Sequence, residues 1–347
     1  MSEQVTPLNQ VGEIGLIRLI QDTITLHQPS TVLGIGDDAA IIAPPAEHEV
    51  VVSTDLLVEG VHFDLMFCPL KHLGYKAVAV NVSDIAAMNA LPTQITVSLA
   101  LPARFSVEAV QEFYEGVRLA SEAYRVDVIG GDTTASRAGL VISVTAMGTV
   151  ARGKAVRRSG AKVNDLLCVT GDLGGAYLGL QILEREKQAY LADPETQPNL
   201  APYDYVVQRQ LRPEARMDVV HMLHEMEVVP TSMIDISDGL ASEIMHLCAA
   251  SGVGATIFSD RLPADQQVYD VADEFRLDPV MCVLNGGEDY ELLFTVPLAD
   301  FDKLKNHPDI TIIGKITEAS EGAILATKGG NAVPLRAQGW SHFGKQQ

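Results

Sequence analysis

Seven aspartates of this chain, Asp37, Asp38, Asp55, Asp84, Asp132, Asp235 and Asp238, stand at or just beyond runs of Val, Ile or Ala. An ionised carboxylate at the edge of a core is costly unless something pairs with it. A chain that repeats the arrangement must therefore bring its buried elements to places where the acids meet a partner. "VVVSTD" (50–55) predicts a strand that ends in Ser53, Thr54 and Asp55. "VDVIGGDTTAS" reads as a strand ending at Asp132, and "MIDISDG" supplies Asp235 and Asp238. A turn or helix cap is the ordinary explanation for any single acid in this setting, and it is preferred for Asp37. The recurrence favours convergence on a cation.

Carboxylates with no Cys and little His select Mg²⁺, Mn²⁺ or Ca²⁺ rather than zinc or copper. The D-x-D-x-D-G spacing of a calcium loop is absent. Mg²⁺ is usually shared between a few carboxylates, water and substrate phosphates. That suits the charge balance, 25 basic against 45 acidic residues and a formal net charge of −20. Such a chain is a poor partner for nucleic acid or an anionic membrane, and it needs metals to hold a phosphate ligand. Cys68, Cys168, Cys248 and Cys282 lie far apart without zinc spacing, and Cys168 and Cys248 read as core residues. The opening residues carry no basic region followed by an apolar segment, and no apolar run reaches membrane-spanning length, so the chain is expected to be cytoplasmic.

At 347 residues, about two domains are expected. In residues 1–150, apolar β-like runs near 38–43, 49–53, 94–101 and 140–150 alternate with helical stretches at 71–90 and 107–124. An N-terminal helical face carries Ile14, Ile17 and Ile20. Residues 151–347 open with a connector rich in Gly and Arg, then "DLLCVTG" as a strand. Residues 184–215 read as a polar excursion with four prolines, a strand-turn-helix follows at 233–252, and strands fall near 291–296 and 309–315. The fold class is α/β (α+β).

"GTVARGKA" (148–155) nearly matches a P-loop, but Ala155 stands where the hydroxyl is required and the following residues do not start an apolar helix; it is read as a coincidence. Arg158 in the connector has the planar fork that suits a nucleotide phosphate, although a linker arginine on the surface is the simpler account. "GGDTT" (130–134) lets a ligand approach the backbone. In "GDLGGA" (171–176), close helix–strand packing explains the glycines equally well, and in "NGGEDYELLF" (285–294) Glu288 and Asp289 either face a ligand or cap a turn. G-x-S-x-G, H-E-x-x-H and an obvious Cys–His pair are all absent, so covalent catalysis is not indicated.

Seven stretches in order, "GIGDDAAII", "STDLLVEGVHF", "AVNVSDIAAM", "GGDTT", "RSGAK", "IDISDGL" and "GGEDYEL", resemble the motifs of the thiamine-monophosphate kinase family, from about Gly12 to Phe343. The resemblance implies a two-domain aminoimidazole ribonucleotide synthetase-like fold, with an N-terminal mixed sheet that pairs in a homodimer and a C-terminal α/β domain completing the site. It implies ATP-dependent phosphorylation of thiamine monophosphate to thiamine diphosphate, the last step of that biosynthesis, with several Mg²⁺ ions. Carried over motif by motif, Asp38, Ser53, Thr54, Asp55, Asp84, Asp132, Asp235 and Asp238 are the implied metal ligands. Tyr114, Gly131, Asp132, Arg158 and Ser237 are the implied ATP contacts, and His62, Glu288 and Trp340 the implied contacts to thiamine monophosphate. Arg158, Asp55, Asp84 and Asp132 would carry the catalysis. Asn89 stands where the pattern has glycine, and Ala215 where it has proline. Sister enzymes of the superfamily are the nearest rivals; two of them rely on a terminal reactive cysteine or selenocysteine, which this chain lacks. A non-catalytic acidic metal-binding protein is the alternative from another class.

Overall fold

The computed structural model describes residues 6–36, 39–195 and 197–339. Asp37, Asp38 and Trp340 lie outside the described residues. The chain divides into two compact units, residues 1–85 with 90–155, and residues 86–89 with 156–347.

The first unit holds α1 (Leu8–Gln21), β1 (Thr31–Leu33), β2 (Ile41–Ile42), β3 (His48–Val58), α2 (Leu70–Ala87), β4 (Leu91–Pro102), α3 (Val107–Tyr124), β5 (Asp127–Ser136) and β6 (Val141–Ala151). Four strands form a mixed sheet in the order β3-β6-β4-β5, in which only the β4–β5 pair is parallel. The period of two along β4 and β6 buries Ile95, Val97, Leu99, Ile142, Val144 and Ala146 on one face. Helix α2 covers that face, and α3 packs on α2. Two glycines set the helix spacing: a Cβ on Gly74 would lie 2.0 Å from the Phe113 carbonyl, and one on Gly116 would lie 1.9 Å from that of Lys71. The α3 pattern of Val107, Val110, Phe113, Tyr114 and Val117 is buried as its 3.6-residue period predicts, and Ser106 caps the helix through the amide of Ala109.

The second unit holds β7 (Leu166–Thr170), α4 (Gly175–Ala192), α5 (Asp204–Leu211), α6 (Met217–Glu225), β8 (Ser232–Asp235), α7 (Leu240–Ser251), β9 (Gly254–Phe258), α8 (Gln266–Glu274) and α9 (Pro279–Asn285). It continues with β10 (Leu292–Val296), α10 (Phe301–Leu304), β11 (Ile310–Thr317), β12 (Ala323–Ala326) and β13 (Ala332–Pro334). Its seven strands run β13-β12-β9-β11-β7-β10-β8, antiparallel except β12 beside β9. Helix α7 packs on β8, β10, β9 and β12, while α4, α5, α8 and α9 pack among themselves.

Two expectations are corrected. Asp55 and Asp132 do not end their strands, whereas Asp235 does end β8: β3 runs on through Leu56, Leu57 and Val58, paired with Ser143, Ile142 and Val141, and β5 runs past Asp132 to Ser136. Beyond Asp55 apolar residues resume, and beyond Asp132 the β-branched Thr133 and Thr134 continue the pairing with β4. Residues 184–215 are largely helical, because α4 extends to Ala192 and α5 spans Asp204–Leu211; the prolines lie outside both helices. The near-P-loop is followed by turns and irregular chain rather than a helix, as its poor match predicted. None of the four cysteines is in a disulfide, and all are buried.

Candidate functional site

In the first unit, alternation along β3 decides which acids meet. Ser53 and Asp55 point to the helix-covered face, and Thr54 to the other. Across from them α2 presents Asn81 and Asp84, three residues apart on one helix face. The Ser53 hydroxyl donates to Asp84 Oδ2, and the Asp55 amide donates to Asn81 Oδ1 at 3.0 Å. Asn81 is itself held by its amide's donation to the Ala77 carbonyl at 2.9 Å. Ser53, Asp55 and Asp84 therefore form one half-buried group, with Asn81 as a positioning residue that sequence reasoning missed. The signal was available: Asn81 stands three residues before Asp84 in "AVNVSDIAAM".

Thr54 is directed elsewhere, donating to the Val144 carbonyl and accepting from Thr145, both at 3.0 Å. Asp132 is exposed on β5, opposite Ser98, at the far edge of the sheet from β3. Three strand spacings of about 4.8 Å put it roughly 14 Å from the Ser53 group within one chain. Gly131 has a structural requirement of its own, since a Cβ there would lie 1.8 Å from the Val97 carbonyl. His62 lies in the turn after β3, its Nδ1 accepting from the Val58 amide at 3.0 Å, which assigns the neutral ring's proton to Nε2. Tyr114 is buried on α3, edge-on to Phe113, and lines two clefts, one with Thr23, His27 and Val117 and one with Leu16, Ile20 and Val110. Burial pushes its phenol well above the ordinary range.

In the second unit two turns lie side by side. One, residues 236–239, joins β8 to α7; the other, residues 286–290, joins α9 to β10. The Glu288 amide donates to the Ser237 carbonyl at 2.7 Å, and the Tyr290 amide to the Ile236 carbonyl at 2.9 Å. A Cβ on Gly287 would meet the Ser237 carbonyl at 2.6 Å. Gly287, Glu288 and Tyr290 all take positive φ, 73°, 61° and 53°. Such backbone persists in non-glycine residues only where the surroundings over-determine it. The turns bring together Ser237, Asp238 and Glu288, with Asp235 buried at the end of β8.

Glu243, which sequence reasoning missed, sits in the first turn of α7 at 2% exposure. Its Oε1 accepts from the Asp238 amide at 3.1 Å, while Oε2 is buried without a hydrogen-bond partner. Burial, with Asp238 and Asp235 nearby, pushes its carboxyl up to about 8. Its sequence signal was an acid five residues beyond Asp238 at a helix start.

Two further acids of the second turn prove structural. Asp289 is buried and accepts from the amides of Gly174 and Ala176, capping α4 from a distance. Glu291, 1% exposed, is held by Arg209 at 3.0 Å, Arg216 at 2.7 Å and the Thr170 hydroxyl. Gly171 answers the same crowding, since a Cβ would lie 2.4 Å from Glu291 Oε1. In "GDLGGA" close packing thus accounts for the glycine. Arg158 is exposed. Its carbonyl accepts from Ser251 Oγ at 3.2 Å, at the C-terminal end of α7. The 12 residues of α7 are about 18 Å long, so the backbone of Arg158 stands well away from the Ser237–Asp238 turn at the other end.

The donor chemistry of both regions, carboxylate and hydroxyl oxygen, fits a hard divalent cation. Among the described residues no three His, Cys, Asp or Glu side chains converge as a ready-made cage. Mg²⁺, which keeps waters and shares substrate oxygens, requires no such cage.

Residues 36–150 match the AIR synthase related protein N-terminal domain, and residues 162–326 the AIR synthase related protein C-terminal domain. The thiamine-monophosphate kinase of Bacillus subtilis (strain 168) is 35% identical over 324 residues, spanning 92% of this chain and 96% of the relative. The crystal structure of thiamine-monophosphate kinase from Stenotrophomonas maltophilia K279a superposes with a TM-score of 0.77 at 35% identity, covering 92% of this chain and 96% of that one. A second solved structure, AaThiL complexed with AMPPCP and TMP, gives a TM-score of 0.75 at 35% identity over 98% of this chain and 100% of that one.

Proposed function

This chain belongs to the thiamine-monophosphate kinase family of AIR synthase related proteins, and from that membership we propose that it transfers the γ-phosphoryl group of ATP to thiamine monophosphate, giving thiamine diphosphate. The observation that carries this reading is the full-length relative solved with both an ATP analogue and TMP. The acceptor is itself a phosphate whose second pKa is near 6, so it is mostly a nucleophilic dianion at neutral pH. A dedicated general base is not required, which agrees with the missing Ser–His and Cys–His pairs. The work left to the protein is alignment of the two phosphates in line and neutralisation of charge.

In this reading Asp55, Asp84 and Ser53 would hold Mg²⁺ from the first unit, with Asp132 and Asp38 completing that set and Thr54, whose hydroxyl faces the other side of the sheet, joining only through its backbone; Asp235 and Asp238 would do so from the second. Bound Mg²⁺ would supply charge neutralisation on the transferring phosphoryl group. Tyr114, Gly131, Arg158 and Ser237 would contact ATP. His62, Glu288 and Trp340 would contact thiamine monophosphate, and the Nε2–H of His62 suits a phosphate oxygen. The assembly would be a homodimer. Val50, Val52 and Leu56 are exposed on the open face of the sheet, and β3 and β5 are its two edges. Setting β3 beside β5 of a second copy would close the sheets into a barrel and bring Asp132 to the edge strand that carries Ser53, Thr54 and Asp55.

Incubation with ATP, Mg²⁺ and thiamine monophosphate, followed by mass analysis, is expected to show thiamine diphosphate formed only with all three present. ATP hydrolysis that ignores thiamine monophosphate would sink the reading.

A further inference from the structure

The C-terminal segment is tied to the second-unit turns at two places that the reaction chemistry does not explain. The Leu335 amide donates to the Ala323 carbonyl at 2.8 Å and its side chain is buried, which fixes where the segment leaves the sheet. Farther along, the Gln338 amide donates to Asn285 Oδ1 at 2.8 Å. Asn285 is the last residue of α9, directly before Gly286 and the turn that carries Glu288. Gly339 then lies so close to the other turn that a Cβ would stand 2.1 Å from the Asp238 carbonyl oxygen. Its φ is not among the positive ones, so the glycine is required by approach and not by dihedral. The same turn meets α9 at Gly239, where a Cβ would lie 3.0 Å from Asn285 Cα. Four pieces, the two turns, the end of α9 and residues 338–339, therefore interlock around Asp238.

We infer that Asn285 and Gly339 are positioning residues that strap the C-terminal segment across the Ser237–Asp238 turn and thereby set the acceptor side of the site. The inference rests on the proposed kinase reading for its substrate and on the contacts above for its geometry. Asn285 offers the hydrogen-bond acceptor and Gly339 the space; loss of either lets the strap lift. Because both act through one strap, their effects are coupled rather than additive.

The test uses Asn285→Ala, Gly339→Ala and the double variant in the full chain, with two readouts. The first needs no substrate. Trp340, the sole tryptophan, follows Gly339 directly in the sequence, so acrylamide quenching of its emission reports whether the strap is held. The second is steady-state kinetics. Each single variant is expected to raise quenching and to raise KM for thiamine monophosphate by about 3- to 10-fold, the range of one lost hydrogen bond. KM for ATP, whose proposed contact Ser237 lies on the strapped turn, rises by less than KM for thiamine monophosphate, and the double variant falls well short of the product of the singles. Unchanged quenching overturns the strap. Raised quenching with unchanged KM for thiamine monophosphate overturns its acceptor role, as does an equal rise in both KM values. A wild-type chain inert toward thiamine monophosphate would sink the kinase reading and the acceptor role together, while quenching still decides the strap.

Discussion

In the N-terminal unit Ser53 and Asp55 stand on a regular strand and meet Asp84 from a regular helix. In the C-terminal unit Ser237, Asp238 and Glu288 stand on two turns that bend through positive φ at Gly239, Gly287, Glu288 and Tyr290. The first group is placed by the sheet's own period and one helix face, so its geometry survives changes to its side chains. The second is placed by strained backbone and by carbonyls too close for a Cβ, so its geometry depends on Gly239 and Gly287. The first region should therefore fail chemically when altered, and the second structurally.

The largest effect is expected where chemistry alone is removed. Asp55→Asn or Asp84→Asn should lower turnover by at least about 100-fold, in the range of a lost electrostatic contact to the transition state. Melting temperature should hold or rise, because one charge leaves a crowded acidic group. Thermal denaturation alongside steady-state rates checks this, and a variant with near-normal turnover at low Mg²⁺ would remove these acids from the site.

Next comes Gly287→Ala, which introduces a Cβ 2.6 Å from the Ser237 carbonyl at φ 73°. A loss of about 1–3 kcal/mol in stability is expected, accompanied by lost turnover. If denaturant unfolding shows no loss, the strain attributed to the second region is absent.

Glu243 sharpens the comparison through pH. Its ordinary value is 4.5 and the folded carboxyl lies at about 8. Between those values the folded chain holds a proton that the unfolded chain has released, so stability falls as pH rises through that window. Glu243→Gln removes the fall. In metal-free protein the variant should be more stable than wild type by about 1–3 kcal/mol at pH 8.5, and indistinguishable from it near pH 4. Parallel stability–pH curves for the two chains would show that the carboxyl is ionised throughout. The smallest effect is expected from Ser53→Ala, which deletes one hydroxyl donor to Asp84. A decrease in kcat of about 2- to 10-fold follows from one hydrogen bond, with the fold unchanged. A loss as large as that of Asp84→Asn would mean that Ser53 holds Mg²⁺ through its hydroxyl rather than through its backbone carbonyl.

Much of the first region was legible because strand and helix periods are local. The spacing of Ser53 and Asp55 fixes a shared face, and the α3 pattern declares its buried side. The mistake over strand ends arose because an acid inside a ladder looks like a terminus until the pairing partner is known. Asn89, where the resemblance leads one to expect glycine, is accounted for by the fold. It sits at φ 58°, where glycine is cheapest and Asn is tolerated, and its Oδ1 lies 2.9 Å from His224 Nε2.

By itself, the sequence determined the alternation of strands and helices, the oxygen-only chemistry of the acids and the family to which the motifs point. Each of these follows from residue type and short spacing. Tertiary structure decided which acids are structural and which are presented. Asp289 and Glu291 belong to helix capping and paired arginines, Glu243 joins Asp238, and Thr54 and Asp132 are held apart from the Ser53 group within one chain. Those assignments depend on contacts between residues far apart in the chain. A carboxylate carries the same local signature whether its eventual partner is an arginine, a helix terminus or a metal ion.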